Sequence, residues 1–191
     1  MNPYDLLFRA MWSCWGVYWL VSAVGNKRIA KRESALSRLM HLGPLVVAFV
    51  LVASPRLSLS LLSQRFLPEA QWRVWFWLGA LITAAGLLLA VWARVHLGRN
   101  WSASVTVKEQ HEHITSGPYG LVRHPIYTGL LLGFLGTALA IGEWRGLLAL
   151  FIVFASLWPK LRREERFMDE QFGDAYASYK RRVSALIPFV F

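Results

Sequence analysis

Residues Val74–Ala93 (VWFWLGALITAAGLLLAVWA) run for 20 positions without a charge. A helix of about 20 apolar residues crosses the roughly 30 Å hydrocarbon core of a bilayer at 1.5 Å per residue. Lipid offers the backbone no hydrogen-bond partners, so a segment of this kind is expected to be helical. The composition agrees. Only 17% of the 191 residues are charged, against roughly 25% in soluble domains. Ten Trp suit a chain with rings at membrane–water interfaces. A net charge of +10 would fit nucleic acid in a soluble chain. Beside such apolar runs it points to the cytoplasmic face of a membrane, and no nucleic-acid partner is expected. Disordered, collagen-like and low-complexity chains are excluded. The single cysteine, Cys14, excludes an intrachain disulfide and a cysteine-ligated zinc site.

The fold class expected is an all-α integral membrane protein with about five transmembrane helices and cytoplasmic C-terminal helices. Tyr4–Val24 is a first span, uncharged from Met11 onward. It has no charged leader or small-residue cleavage site, so it is expected to stay in the mature protein. A second span runs from near Ala35 to Ser54, with Arg38 snorkelling and Pro55 ending it. Val74–Ala93 is the third. Ile126–Gly142 and Gly146–Pro159 are two shorter runs around Glu143-Trp144-Arg145, expected as a tight helical hairpin.

Five spans place the termini on opposite sides. The Lys and Arg residues decide which. One side collects Lys27, Arg28, Lys31, Arg32, Arg38, Arg94, Arg99, Lys108, Arg123, Lys160, Arg162, Arg163, Arg166, Lys180, Arg181 and Arg182, which is 16 of the 21. The N-terminus is therefore expected outside, and the C-terminus and the site cytoplasmic. On this topology the Asn100-Trp101-Ser102 sequon faces inward and is read as chance. The chain divides into N-terminal transmembrane helices, 1–93, and a region 94–191 that holds the longest hydrophilic stretches and any site for a water-soluble ligand.

Two stretches carry chemistry. In Gly117–Gly129 (GPYGLVRHPIYTG) glycine and proline force a turn, and Arg, His and two Tyr follow just before a membrane helix. Pro125 suits the first turn of that helix, whose free N–H groups attract negative ligand groups. The residues alone also fit a plain interface anchor. The second stretch is Arg162-Arg163-Glu164-Glu165, expected on the cytoplasmic extension of the last hairpin helix. Leu161, Glu165, Met168 and Phe172 share one helix face, so Glu165 interrupts an apolar stripe and needs a partner or a ligand. Arg162, one turn away, is the partner that spacing offers, and a plain ion pair would satisfy the pattern. Gly173 is expected to end that helix. Asp174 would cap a second one, Ala175–Arg182, with Tyr176 and Tyr179 on one face.

The five histidines, His41, His96, His111, His113 and His124, are too few for a di-iron site of the membrane desaturase kind. His111-Glu112-His113 would need distant ligands, so no metal is expected. No G-x-G-x-x-G, P-loop or G-x-S-x-G string is present. Gly129 and Gly133 form a G-x-x-x-G pair suited to close helix packing.

The strings GPYGLVRHPIYTG and RREERFMDEQFGDAYASYKRRVSALIP, with LGRNWS and TSGPY upstream, resemble the isoprenylcysteine carboxyl methyltransferase family and the related phospholipid methyltransferases. The match covers about residues 96–188. The resemblance implies an integral membrane enzyme that uses S-adenosylmethionine at the cytoplasmic face. It implies that Gly117, Pro118, Tyr119, Arg123, His124, Pro125 and Tyr127 shape one wall of the cofactor pocket and that Glu164 and Glu165 help hold the cofactor. Arg162 lies near where the family places an arginine that serves the acceptor carboxylate. A lipophilic methyl acceptor would enter from the bilayer. The leading function is methyl transfer to a carboxylate of an isoprenylcysteine-like acceptor. The alternatives are N-methylation of an ethanolamine phospholipid and a non-catalytic membrane subunit with the same fold, and more remotely a sterol-reductase-like chain using NADPH.

Overall fold

The computed structural model describes residues 3–23, 35–54, 60–98 and 114–190. Six α-helices follow in order: α1 Pro3–Ala23, α2 Ala35–Ala53, α3 Trp72–Leu97, α4 Pro125–Ile141, α5 Trp144–Phe172 and α6 Asp174–Arg182. Short 3-10 turns lie at Ser60–Ser63, Glu69–Gln71 and Gly117–Gly120. Among the described residues the one β-type pairing is an isolated bridge between Arg65 and Glu143. The expected all-α architecture is observed.

The bundle is built on a seam between α3 and α4. Helix α3 turns Gly79, Ala80, Thr83, Gly86 and Ala90 inward, and α4 turns Gly129, Gly133, Gly136 and Thr137 inward. Small residues let two backbones touch, the packing that membrane helices favour where lipid removes the hydrophobic drive. A Cβ on Gly86 would stand 2.5 Å from the Gly129 carbonyl oxygen, and one on Gly129 would stand 2.8 Å from the Ala90 backbone nitrogen. The pairs repeat as Gly79 with Gly136 and Gly86 with Gly129. The backbone contact therefore follows the seven-residue spacing Gly129–Gly136. Gly133, the other half of the expected G-x-x-x-G pair, also lies on the seam: a Cβ on Gly86 would stand 2.7 Å from its backbone nitrogen, and its own open face meets the Trp12 ring. Between the glycine pairs, Thr83 Oγ1 donates to the Gly133 carbonyl at 3.2 Å, and Trp12 Nε1 donates to Thr137 Oγ1 at 3.1 Å. Trp12 thereby ties α1 to the seam, where it also meets Phe49 of α2 and Phe134 of α4.

The outward surface is apolar too: Val17, Leu20, Leu81, Leu88, Trp92 and Phe151 are all exposed. A helix apolar on both its buried and its exposed face belongs in lipid. Among the described residues, Glu69–Leu97 and Trp144–Phe172 are long and apolar enough to cross a membrane, and Leu42–Ala53 and Pro125–Ile141 are shorter apolar helices.

Two expectations are corrected in detail. The hairpin turn is tighter than Glu143–Arg145: Gly142, at φ +68°, ends α4 and α5 starts at Trp144. Arg145 is buried, pairs with Glu143 at 2.7 Å and donates to the Leu51 and Ser54 carbonyls, so it caps the end of α2. The second arm continues beyond Pro159, as its expected cytoplasmic extension requires. Helix α5 runs 29 residues through that proline to Phe172, joining the apolar run to the polar segment that carries Glu164 and Glu165. Gly173, at φ +50°, ends α5 and also occupies the cap position of α6, so Asp174 is the first helical residue rather than the cap. The basic stretch Lys27–Arg32, the Asn100-Trp101-Ser102 sequon and His111-Glu112-His113 lie outside the described residues.

Candidate functional site

The two chemical stretches meet where α4 begins and α5 leaves its apolar half. Ahead of α4 the chain makes the turn Gly117–Gly120. Gly117 has φ +59°, in the left-handed region, and a Cβ there would lie 2.8 Å from the His96 ring. Both the backbone angle and the packing require glycine. Pro118 and Tyr119 are buried. Pro125 is the first residue of α4, as its missing N–H favours.

Arg123 and His124 are then fixed by the segment after α6. Their backbone N–H groups donate to the Ser184 and Ala185 carbonyls at 2.8 and 3.0 Å. Arg123 Nη1 donates to the carbonyls of Val183 and Lys180. Its Nε and Nη2 reach Glu165 Oε1 at 2.7 and 2.6 Å. His124 bridges both glutamates, with Nδ1 3.5 Å from Glu164 Oε2 and Nε2 3.4 Å from Glu165 Oε1. The Tyr127 hydroxyl donates to Glu164 Oε1 at 2.5 Å. The result is a continuous chain Arg123–Glu165–His124–Glu164–Tyr127 across three segments. The Lys160 ammonium lies 5.6 Å above the Tyr127 ring, a cation–π distance.

Glu165 is thus stranded on its own helix and satisfied from the turn that precedes α4. The partner is Arg123 together with His124, not Arg162 as helix spacing suggested. Arg162 is exposed, with its guanidinium 5.9 Å over the Trp158 ring. The cluster opens through Glu164, whose side chain is 26% exposed against 13% for Glu165 and 9% for His124. His124 Nε2 is buried and, although within ion-pair distance of Glu165, makes no hydrogen bond. A buried ring nitrogen left this way is a natural contact for a bound group.

His124 precedes α4 and titrates under opposing influences. Burial lowers its pKa, but the two glutamates facing its ring nitrogens, Glu164 and Glu165, outweigh it, and the net shift is upward. A histidine whose pKa is higher in the folded than in the unfolded protein stabilises fully below its unfolded value of about 6.5. That contribution is lost as pH rises through the folded value. The melting-temperature difference between the wild type and His124→Gln in detergent is therefore expected to be largest in mildly acidic buffer and to shrink with alkalinity. A gap that widened with pH would show that His124 is held neutral.

Several contributors were not singled out from the sequence. His96, in the last turn of α3, bonds Ser116 Oγ through Nε2 at 2.9 Å and lies nearly parallel to Tyr119. Arg94, buried on the same turn, donates to the Ser22 and Gly98 carbonyls and so joins the ends of α1 and α3. The Tyr179 hydroxyl donates to the Tyr119 carbonyl at 2.5 Å, fastening α6 onto the glycine–proline turn. Burial pushes the Tyr179 phenol up to about 12, which keeps that donor protonated. The shared face of Tyr176 and Tyr179 was the available signal for that contact. Among the described residues no group of three or more His, Cys, Asp or Glu could hold a metal ion. A shallow apolar cavity of about 450 Å³, lined by Leu61, Leu62, Gln64, Trp144, Leu147 and Leu148, lies at the start of α5, far from this cluster.

The sequence model of the phospholipid methyltransferase family matches residues 74–175. The cobalt-zinc-cadmium resistance protein CzcN of Cupriavidus metallidurans is 35% identical over 114 residues, 59% of this chain and 51% of that protein. The protein-S-isoprenylcysteine O-methyltransferase of Schizosaccharomyces pombe is 32% identical over 101 residues, 51% of this chain and 43% of that protein. The chain thus spans about half the length of these curated relatives. A solved eukaryotic intramembrane Ras methyltransferase, an isoprenylcysteine carboxyl methyltransferase, shares the fold. Its TM-score is 0.50 at 22% identity, over 84% of this chain and 55% of that one. The chain belongs to the phospholipid methyltransferase family, and its resemblance to the isoprenylcysteine carboxyl methyltransferases stands.

Proposed function

We propose that this chain is an integral membrane methyltransferase that moves a methyl group from S-adenosylmethionine to a lipophilic carboxylate of the isoprenylcysteine kind. The observation that carries the reading is the convergence of Glu164, Glu165, His124 and Arg123 at the end of a bundle with an apolar outer surface. The cofactor fits this donor set. Glu164 and Glu165 offer negative charge to its cationic groups, Arg123 and His124 offer N–H donors, and His124 Nε2 lacks a hydrogen bond. Gly117, Pro118, Tyr119, Pro125 and Tyr127 form the adjoining wall. When bound, S-adenosylmethionine supplies a methyl carbon made electrophilic by its sulfonium.

The remaining work belongs to the chain's own residues. An acceptor carboxylate is ionised at neutral pH and needs no base, so positioning and exclusion of water supply most of the rate. Arg162, exposed beside Trp158 one turn before Glu165, meets the acceptor carboxylate with a planar fork that stays charged. The proposed arrangement has five spans, the N-terminus outside, the site cytoplasmic, 1–93 as the anchor and 94–191 as the cofactor and acceptor region. Relatives that carry the isoprenylcysteine methyltransferase name support this reading. The family's phospholipid name supports a second one, in which an ethanolamine nitrogen is the acceptor. That nitrogen must first lose a proton, so this reading needs a base such as a glutamate or histidine.

Two measurements test these assignments. With a farnesyl-thioether carboxylate as acceptor, Arg162→Ala is expected to lower turnover far more than affinity for S-adenosylhomocysteine. Turnover on phosphatidylethanolamine alone, with carboxylates ignored, replaces this reading with the second. For topology, a cysteine at position 181 is expected to resist impermeant maleimide in intact cells, and labelling from outside would reverse the orientation.

A further inference from the structure

The segment after α6 changes character abruptly. Lys180-Arg181-Arg182 is followed by Val-Ser-Ala-Leu-Ile-Pro-Phe-Val, eight residues without a charge. Its first half is pinned. Ser184 and Ala185 accept from the Arg123 and His124 backbones. The Leu186 carbonyl accepts from Thr128 Oγ1 at 2.7 Å. Ala185 and Leu186 pack against the buried apolar cluster. Thr128 lies in the first turn of α4, so these bonds set the segment at the depth where α4 enters the bundle. The second half is a turn closed by Val190 N–H to the Ile187 carbonyl at 3.1 Å, and it points apolar side chains away from the protein. Phe189 is 96% exposed, Ile187 59% and Val190 55%. Phe189 also has φ +63°, a left-handed angle that costs a bulky side chain energy, and within the protein its ring recovers almost nothing.

We propose that the turn Ile187–Val190 inserts into the bilayer as an interfacial anchor, with Phe189 at its tip and exposed Arg181 and Arg182 on lipid phosphates above it. An apolar tip flanked by cations matches an anionic leaflet, apolar groups going to acyl chains and charges to headgroups. The apolar exterior of the bundle continues into the turn at the depth that Thr128 sets. The proposal rests on the membrane reading of the helices and not on methyl transfer. It means that the strap holding Arg123 and His124 is fixed on one side by the helices and on the other by lipid.

The full chain carries one cysteine, so Cys14→Ser with Phe189→Cys accepts a nitroxide at a single place. In vesicles of phosphatidylcholine and phosphatidylglycerol, the label is expected to collide with oxygen several-fold more effectively than with an aqueous nickel chelate. A label at Ile187→Cys should behave alike, and one at Arg181→Cys should show the reverse preference. If the label at 189 meets nickel as freely as the label at 181, the turn lies in water and the proposal fails. Shielding from both reagents also overturns it: with spin–spin broadening a second copy covers the turn, and without broadening another part of the protein does.

Discussion

Gly129→Ala is expected to destabilise the protein by about 3 kcal/mol, the upper part of the range for overpacking. The added methyl group would fall on the Gly86 carbonyl and lie 2.8 Å from the Ala90 nitrogen. Both are backbone atoms of a regular helix, so no rotamer change can make room. The two helices must separate, and separation also opens the Thr83–Gly133 bond across the seam. Melting followed in mild detergent should show a large drop for Gly129→Ala and little change for Gly16→Ala. A Cβ at Gly16 meets nothing within 4 Å, and Ala is the better helix former. Equal melting temperatures would mean that the helices are farther apart than the structure has them.

Glu165→Gln tests the site itself. It keeps size and removes the charge that Arg123 grips and His124 faces. If Glu165 also holds the cofactor, affinity for S-adenosylhomocysteine measured by calorimetry should fall by about 1.5–3 kcal/mol, the range for hydrogen bonds to charged groups. Asp169→Asn is the control. Asp169 lies on α5 like Glu165, and its loss removes a half-exposed ion pair with Lys180 of α6 at 2.7 Å; such pairs contribute little. Unchanged affinity in a folded Glu165→Gln protein would assign the residue to a structural pair with Arg123. Absence of binding by the wild type would favour the non-catalytic membrane subunit.

The helices were legible because lipid and water sort residues strongly along one dimension. An uncharged run of 20 residues announces α3 without reference to any other part of the chain. Pro125 at the start of α4 and Gly173 at the end of α5 were legible for an equally local reason, the backbone angles and donors that those residues permit. Helix periodicity also showed that Glu165 interrupts an apolar face. What satisfies it was not legible. Spacing offers only neighbours on the same helix, here Arg162, whereas Arg123 lies 42 positions earlier. Its approach depends on how α4 and α5 pack and on the strap after α6 that grips it. Likewise the G-x-x-x-G string announced close packing of α4, but the register was settled by the partner glycines Gly79 and Gly86. The helical segments and the residue types available to chemistry follow from local periodicity and solvent preference, and these can be read along the chain. Which charges meet follows from packing, because a buried ion pair depends on distances of a few ångströms between segments far apart in the chain.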